Sequence, residues 1–158
     1  MVNFVDTCVL TNLLDIPGFN QDRDEVKRIY REKEESNDTF VIPLAVLVET
    51  GNHIAQLKGD RKYPIAESFS KLIREAIQGS NGFVVTPEIT LEQIGEIMAG
   101  FPDSVVRQDR GFGDLSIISQ FEDYWKNKQP LGKMCIWSLD HHLQGFEKEG
   151  GLKRRKDK

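Results

Sequence analysis

Short apolar runs alternate along the chain with longer segments of helical spacing. Val2–Val5 reads as a strand that ends on Asp6, and Thr7–Leu14 as a short helix closed by the turn Ile16-Pro17-Gly18. Gln21–Ser36 is densely charged, with Val26, Ile29 and Tyr30 as its apolar stripe, the pattern of a surface helix. Thr39–Ile42 is a second strand; Pro43 then suits a first helical position, and the helix it opens is expected to run to Lys58 before Gly59-Asp60. A further helix is expected from Pro64, with Ile65, Phe69, Leu72, Ile73 and Ala76 near helical spacing, until Gly79–Gly82. Phe83–Thr86 is a third strand. Thr90–Ala99 is a helix, Gly100–Gly113 a loop around Pro102, and Asp114–Lys126 a helix with apolar positions 117, 118, 121, 124 and 125. Met134–Leu139 is a strand ending on Asp140, followed by a short helix and a basic tail. Strands alternating with helices predict an α/β fold on a parallel sheet. No repeat or linker divides residues 1–150, which read as one domain, with 151–158 as the tail.

Composition narrows the class. The chain has 158 residues, 39% hydrophobic and 29% charged, enough for a packed core and too apolar for wholesale disorder. Two Cys exclude a disulfide scaffold or a zinc ribbon. The longest apolar runs, such as Val41–Val48, are far short of a membrane span, and MVNFVDTC has no basic n-region; the expectation is a cytoplasmic protein with no membrane partner. Total charge is −4, and the last six residues, Lys153 to Lys158, carry a net +4, which leaves the rest at −8. So acidic a body is not a generic nucleic-acid binder. If it handles a phosphodiester, a bound divalent cation is the simplest way to neutralise the acid.

Several chemistries leave no trace. There is no GxxxxGK[ST] phosphate loop, no GxGxxG after a strand and no GxSxG elbow. His53, His141 and His142 lack an HExxH-like spacing, and on a helix the adjacent pair would point about 100° apart. Cys8 and Cys135 read as small core residues.

Placement of carboxylates is the informative feature. Asp6 and Asp140 each follow a strand, and in a parallel sheet ligands bind beyond the carboxyl ends of strands. Asp is also an ordinary turn residue there. Asp114 lies in the first turn of its helix, where the dipole favours negative charge, and in line with Ile117, Ile118, Phe121 and Trp125. It is therefore either a helix cap or a crevice residue. Glu49 sits opposite the apolar positions Leu44, Leu47, Val48, Gly51, Ile54 and Ala55, beside Asn52, His53 and Gln56, so its helix gives either a solvated face or the floor of a polar crevice.

Taken in order, Asp6-Thr7 after the first strand, Glu49 in VLVETGNHI, Asp114 in GFGDLSIIS and Ser138-Leu139-Asp140 in IWSLDHHL give a sequence that resembles the PIN-domain nucleases, including VapC-type toxins of toxin–antitoxin pairs. The resemblance spans nearly the whole chain. It implies a three-layer α/β/α sandwich with a mostly parallel central sheet, and a Mg²⁺- or Mn²⁺-dependent ribonuclease acting on single-stranded RNA, with an antitoxin and a homodimer as expected partners. Asp6, Glu49, Asp114 and Asp140 would be its catalytic and metal-binding carboxylates, with Thr7 and Ser138 in support. Cys8 stands where Ser or Asn is common in that family, Leu143 where an aromatic is common, and 60–113 is longer than in compact members.

The chemistry is coherent with that assignment. Carboxylates are hard oxygen ligands suited to Mg²⁺ or Mn²⁺. Four of them clustered without a cation would repel, and a dication both offsets that charge and activates water. Arg107 and Arg110, ahead of Asp114, are candidate phosphate contacts, as is the tail, which also reads as a solvated chain end. Two other classes compete. A phospho-acceptor receiver would need paired acids after the first strand and a late-strand Lys, neither of which is present. A PIN-like scaffold that binds RNA or protein without cutting would not need the intact carboxylates.

Overall fold

The computed structural model describes residues 1–86 and 88–151; the basic tail Lys153–Lys158 lies outside the described residues. The chain runs β1 (Val2–Val5), α1 (Thr7–Leu13), α2 (Arg23–Glu35), β2 (Thr39–Pro43), α3 (Leu44–Gln56), α4 (Lys62–Gln78), β3 (Phe83–Thr86), α5 (Leu91–Gln108), α6 (Phe112–Lys128), β4 (Gly132–Trp137) and β5 (Glu147–Gly150). The five strands form one sheet in the order β3-β2-β1-β4-β5, parallel except for the β4–β5 pair. Six helices flank this mostly parallel sheet in a three-layer α/β/α sandwich. Among the described residues no helix is long and apolar enough to cross a membrane.

Register explains the layers, because alternate strand residues face opposite sides. Phe4 aligns with Val41 and Ile136, and on that face its ring meets Phe121 and Tyr124 of α6 edge-on, each at 5.4 Å. Phe40 aligns with Asn3 and Phe83 on the other face, where Tyr30 of α2 lies 5.0 Å from the Phe40 ring. Apolar side chains of β1, β2 and β4 thus fill both interfaces, and the strands read as near-continuous apolar runs because both sides are covered.

Several features differ from the pattern read along the sequence; Pro43, expected to open a helix, closes β2 and caps α3, which ends at Gln56, and α4 starts at Lys62 and β4 at Gly132, each two residues early. Residues 100–108, expected as a loop, continue α5 through Pro102. Proline deprives the Met98 carbonyl of its helical donor, and the break is tolerated on a half-exposed turn where solvent can serve that oxygen. α6 starts at Phe112, two residues early. β4 ends at Trp137, so Asp140 follows the strand after two intervening residues. The expected last helix is a turn, in which Leu143 and Gln144 donate to the Asp140 carbonyl, followed by the antiparallel edge strand β5. Its sequence, EKEG, carries the charges that protect an edge from further pairing and no apolar alternation that would announce a strand.

Candidate metal centre

The strand order reverses at β1: the chain moves outward to β2 and β3, then returns to the opposite side of β1 with β4. Helices leaving neighbouring strands in opposite directions open a crevice at their carboxyl ends. Asp6 and Ser138 enter it as the next pair after Val5 and Trp137, held by the Asp6 N–H donating to the Trp137 carbonyl at 3.1 Å.

Asp6 is buried and almost fully engaged. Its Oδ1 accepts the Thr7 N–H at 2.6 Å, which caps α1. Its Oδ2 accepts the Ser138 hydroxyl at 2.6 Å and the Cys8 thiol at 3.0 Å. The Ser138 oxygen in turn accepts the Asp140 N–H at 2.9 Å, so one hydroxyl ties the β1 carboxylate to the loop that carries the β4 carboxylate. Cys8 reinforces the link by accepting the Leu139 N–H at 3.2 Å. Burial, and next the Asp6 charge, push the Cys8 thiol up to about 12, so it stays a protonated donor rather than a nucleophile.

Glu49 joins through Thr7, whose hydroxyl donates to Glu49 Oε2 at 2.7 Å. Both readings of Glu49 hold: its side chain is 54% exposed, and it still lies at the crevice. The buried face of α3 is Val46, Thr50 and Ile54, whereas Val48 and Ala55, counted as apolar stripe, are exposed. The same is true of Asp114. Its Oδ2 caps α6 by accepting the Gly111 N–H at 3.1 Å. Its carboxyl is nevertheless raised above the usual range, first by burial and then by the charges of Asp6, Asp140 and Glu49, against the lowering by Gly111. All four carboxylates therefore share one electrostatic neighbourhood.

The two arginines play different parts. Arg107 pairs with Asp103 on its own helix, 3.4 Å away. Arg110 donates from Nε and Nη2 to the His142 carbonyl at 3.2 and 2.9 Å, bracing the turn after Asp140. That turn also holds a grouping the adjacent-histidine argument missed. His141 and His142 lie on a turn, not a helix, with ring centroids 3.8 Å apart. Among the described residues only Asp140, His141 and His142 bring three ligand atoms within 4.8 Å of one another. No three of the four carboxylates meet that closely. His53, four residues after Glu49, lies beside it as helical spacing predicts, with Nε2 3.7 Å from Glu49 Oε1.

Neither a scan against protein-family models nor a search of curated proteins returns a match to this chain.

Proposed function

We propose that this protein is a divalent-metal-dependent endoribonuclease of the PIN type that cleaves single-stranded RNA. One observation carries the reading. Carboxylates from four separate elements lie around the crevice at the sheet's switch point, and Glu49, Asp114 and Asp140 each accept a hydrogen bond on one oxygen and none on the other among the described residues. An all-oxygen donor set of this kind fits Mg²⁺ or Mn²⁺; the Asp114 carboxyl is raised first by burial and only then by its carboxylate neighbours, and it is this second contribution that a dication would offset. Asp6 and Asp114 would hold the ion, with Glu49 and Asp140 completing its surroundings. Bound there, a divalent cation supplies charge neutralisation and Lewis-acid polarisation of a phosphodiester.

The chain's own groups do the rest. Ser138 and the Thr7 N–H hold the Asp6 carboxylate in one orientation, and Thr7 Oγ1 does the same for Glu49. This preorganisation spares reorganisation during reaction. Glu49 and Asp140, with side chains 54% and 45% exposed, are the pair open to solvent, and one of them accepts the proton of the attacking water. An antitoxin and a homodimer accompany the resemblance and rest on it alone. Pure protein is expected to cut single-stranded RNA with Mg²⁺ or Mn²⁺ and to stop in excess chelator. Cleavage that persists in chelator, or none with either metal, would refute the proposal.

A further inference from the structure

The turn after β4 holds a second set of donors, of a different chemistry from the crevice. Asp140, His141 and His142 each bring one ligand atom within 4.8 Å of the other two, and His141 Nδ1 lies 3.3 Å from Asp140 Oδ1. Zn²⁺ sits about 2.0–2.2 Å from nitrogen and carboxylate donors, so a tetrahedral shell sets neighbouring ligand atoms about 3.3–3.6 Å apart. The Asp140–His141 pair already has that spacing. Side-chain rotation at this open turn closes the rest, since the His141 side chain is 81% exposed. Among the described residues the hydrogen bonds of the two histidines are made by the His142 backbone, and their ring nitrogens make none.

The backbone that presents these donors is fixed without a metal. Its first residue is held by the Asp140 N–H donating to Ser138 Oγ, and its own carbonyl accepts the N–H groups of Leu143 and Gln144 at 3.1 and 3.2 Å. Arg110 clamps the His142 carbonyl from across the turn, and Leu143, fully buried, anchors the far end in the core. A helix would send adjacent rings apart; this turn lays them with centroids 3.8 Å apart, on the same side as the Asp140 carboxylate. A set of donors ordered in advance binds at a lower entropic cost than one that must be gathered.

We propose that Asp140, His141 and His142 form a binding site for Zn²⁺, distinct from the Mg²⁺ or Mn²⁺ carboxylates but sharing Asp140 with them, and that its occupation suppresses the reaction at those carboxylates. The suppression, unlike the site, rests on the ribonuclease reading. The donor set makes the distinction: two imidazoles and one carboxylate suit Zn²⁺, whereas Mg²⁺ and Mn²⁺ favour oxygen alone. Three protein ligands with water in the fourth place is the usual form of an open zinc site. A Zn²⁺ ion there engages the Asp140 carboxylate and sets a second double positive charge beside the crevice, where it repels the first.

The test uses full-length protein without a histidine tag. Zn²⁺ binding, measured without RNA by competition with a chromophoric chelator, should give one tight ion per chain. Losing a hydrogen-bond partner of a metal ligand already costs about 10–100-fold in affinity, so the double variant His141→Ala/His142→Ala should bind Zn²⁺ at least about tenfold more weakly. His141→Ala alone, at the most exposed ligand, should show a loss of the same order with an unchanged melting temperature. Asp114→Asn should bind Zn²⁺ within about threefold of wild type. Zn²⁺ affinity unchanged by loss of the histidines, or lost in Asp114→Asn with both histidines present, would overturn the site. Cleavage of single-stranded RNA in Mn²⁺ is then titrated with Zn²⁺. The half-inhibitory Zn²⁺ concentration should rise about tenfold or more in the double variant, whose cleavage without Zn²⁺ stays within about twofold of wild type. Equal inhibition of both proteins, or of neither, would overturn the suppression. Zn²⁺ bound through the histidines by a protein that cuts no RNA in Mn²⁺ would uphold the site and overturn the ribonuclease.

Discussion

Asp6→Asn is expected to reduce single-turnover cleavage at saturating Mn²⁺ by roughly 10²- to 10³-fold, the scale on which one electrostatic contact at a reacting phosphoryl group acts. The substitution keeps shape and changes two things. It removes the charge that would hold the cation, and it turns one of two accepting oxygens into a donor. Oδ1 faces the Thr7 N–H and Oδ2 faces the Ser138 hydroxyl and the Cys8 thiol, so either orientation of an amide sets N–H against a group that now donates. The Ser138 hydroxyl can rotate, but its oxygen already accepts the Asp140 N–H. The link between the β1 and β4 ends is therefore loosened as well as discharged. Thermal melting beside the kinetics separates loss of function from loss of fold. Cleavage within twofold of wild type would remove Asp6 from the centre.

The largest effect on stability is expected at Phe121. Its side chain is fully buried on α6, 5.4 Å from the Phe4 ring and 6.5 Å from Phe146. Phe121→Ala leaves a cavity between helix and sheet at a cost of about 3–5 kcal/mol. Against a total stability of about 5–15 kcal/mol, that is a large share. α6 also carries Asp114 and Gln120, so residual folded protein should bind Mn²⁺ more weakly. Urea unfolding of the two proteins measures the difference. A change below about 1 kcal/mol would contradict the packing of α6 on β1.

Much of this arrangement was legible in the sequence, for reasons that are local. Val2–Val5 and Phe83–Thr86 are compact apolar runs with clear boundaries, and both are strands with those limits. Gly79 ends α4 in a left-handed turn at φ 68°, which its lack of a side chain allows. Asp6 and Asp140 were readable because a parallel sheet gathers its strand ends on one edge.

What was not legible depends on contacts distant in sequence. β5 has no apolar signal and exists because β4 offers it an edge. α5 crosses Pro102 against its local preference. On α6 the buried side includes Ser116 and Gln120, which a count of apolar residues assigns to the surface. Gln120 is buried because two carbonyls 34 and 32 residues away accept its N–H groups, and nothing near it in sequence announces them. Glu49 was ambiguous for the opposite reason. A residue at the rim of a crevice is both exposed and positioned, and helical spacing distinguishes only inside from outside.

Two groupings compete to be the metal centre, and Asp140 belongs to both: the carboxylates around Asp6, and the turn with His141 and His142. Calorimetric titration of Mn²⁺ into the wild type, into Asp114→Asn and into the double variant His141→Ala/His142→Ala decides between them. The expected result is that Asp114→Asn weakens Mn²⁺ binding by about tenfold or more, while the double variant binds within twofold of wild type. Binding that survives Asp114→Asn and is lost with the two histidines would contradict the assignment and place the cation on the Asp140 turn.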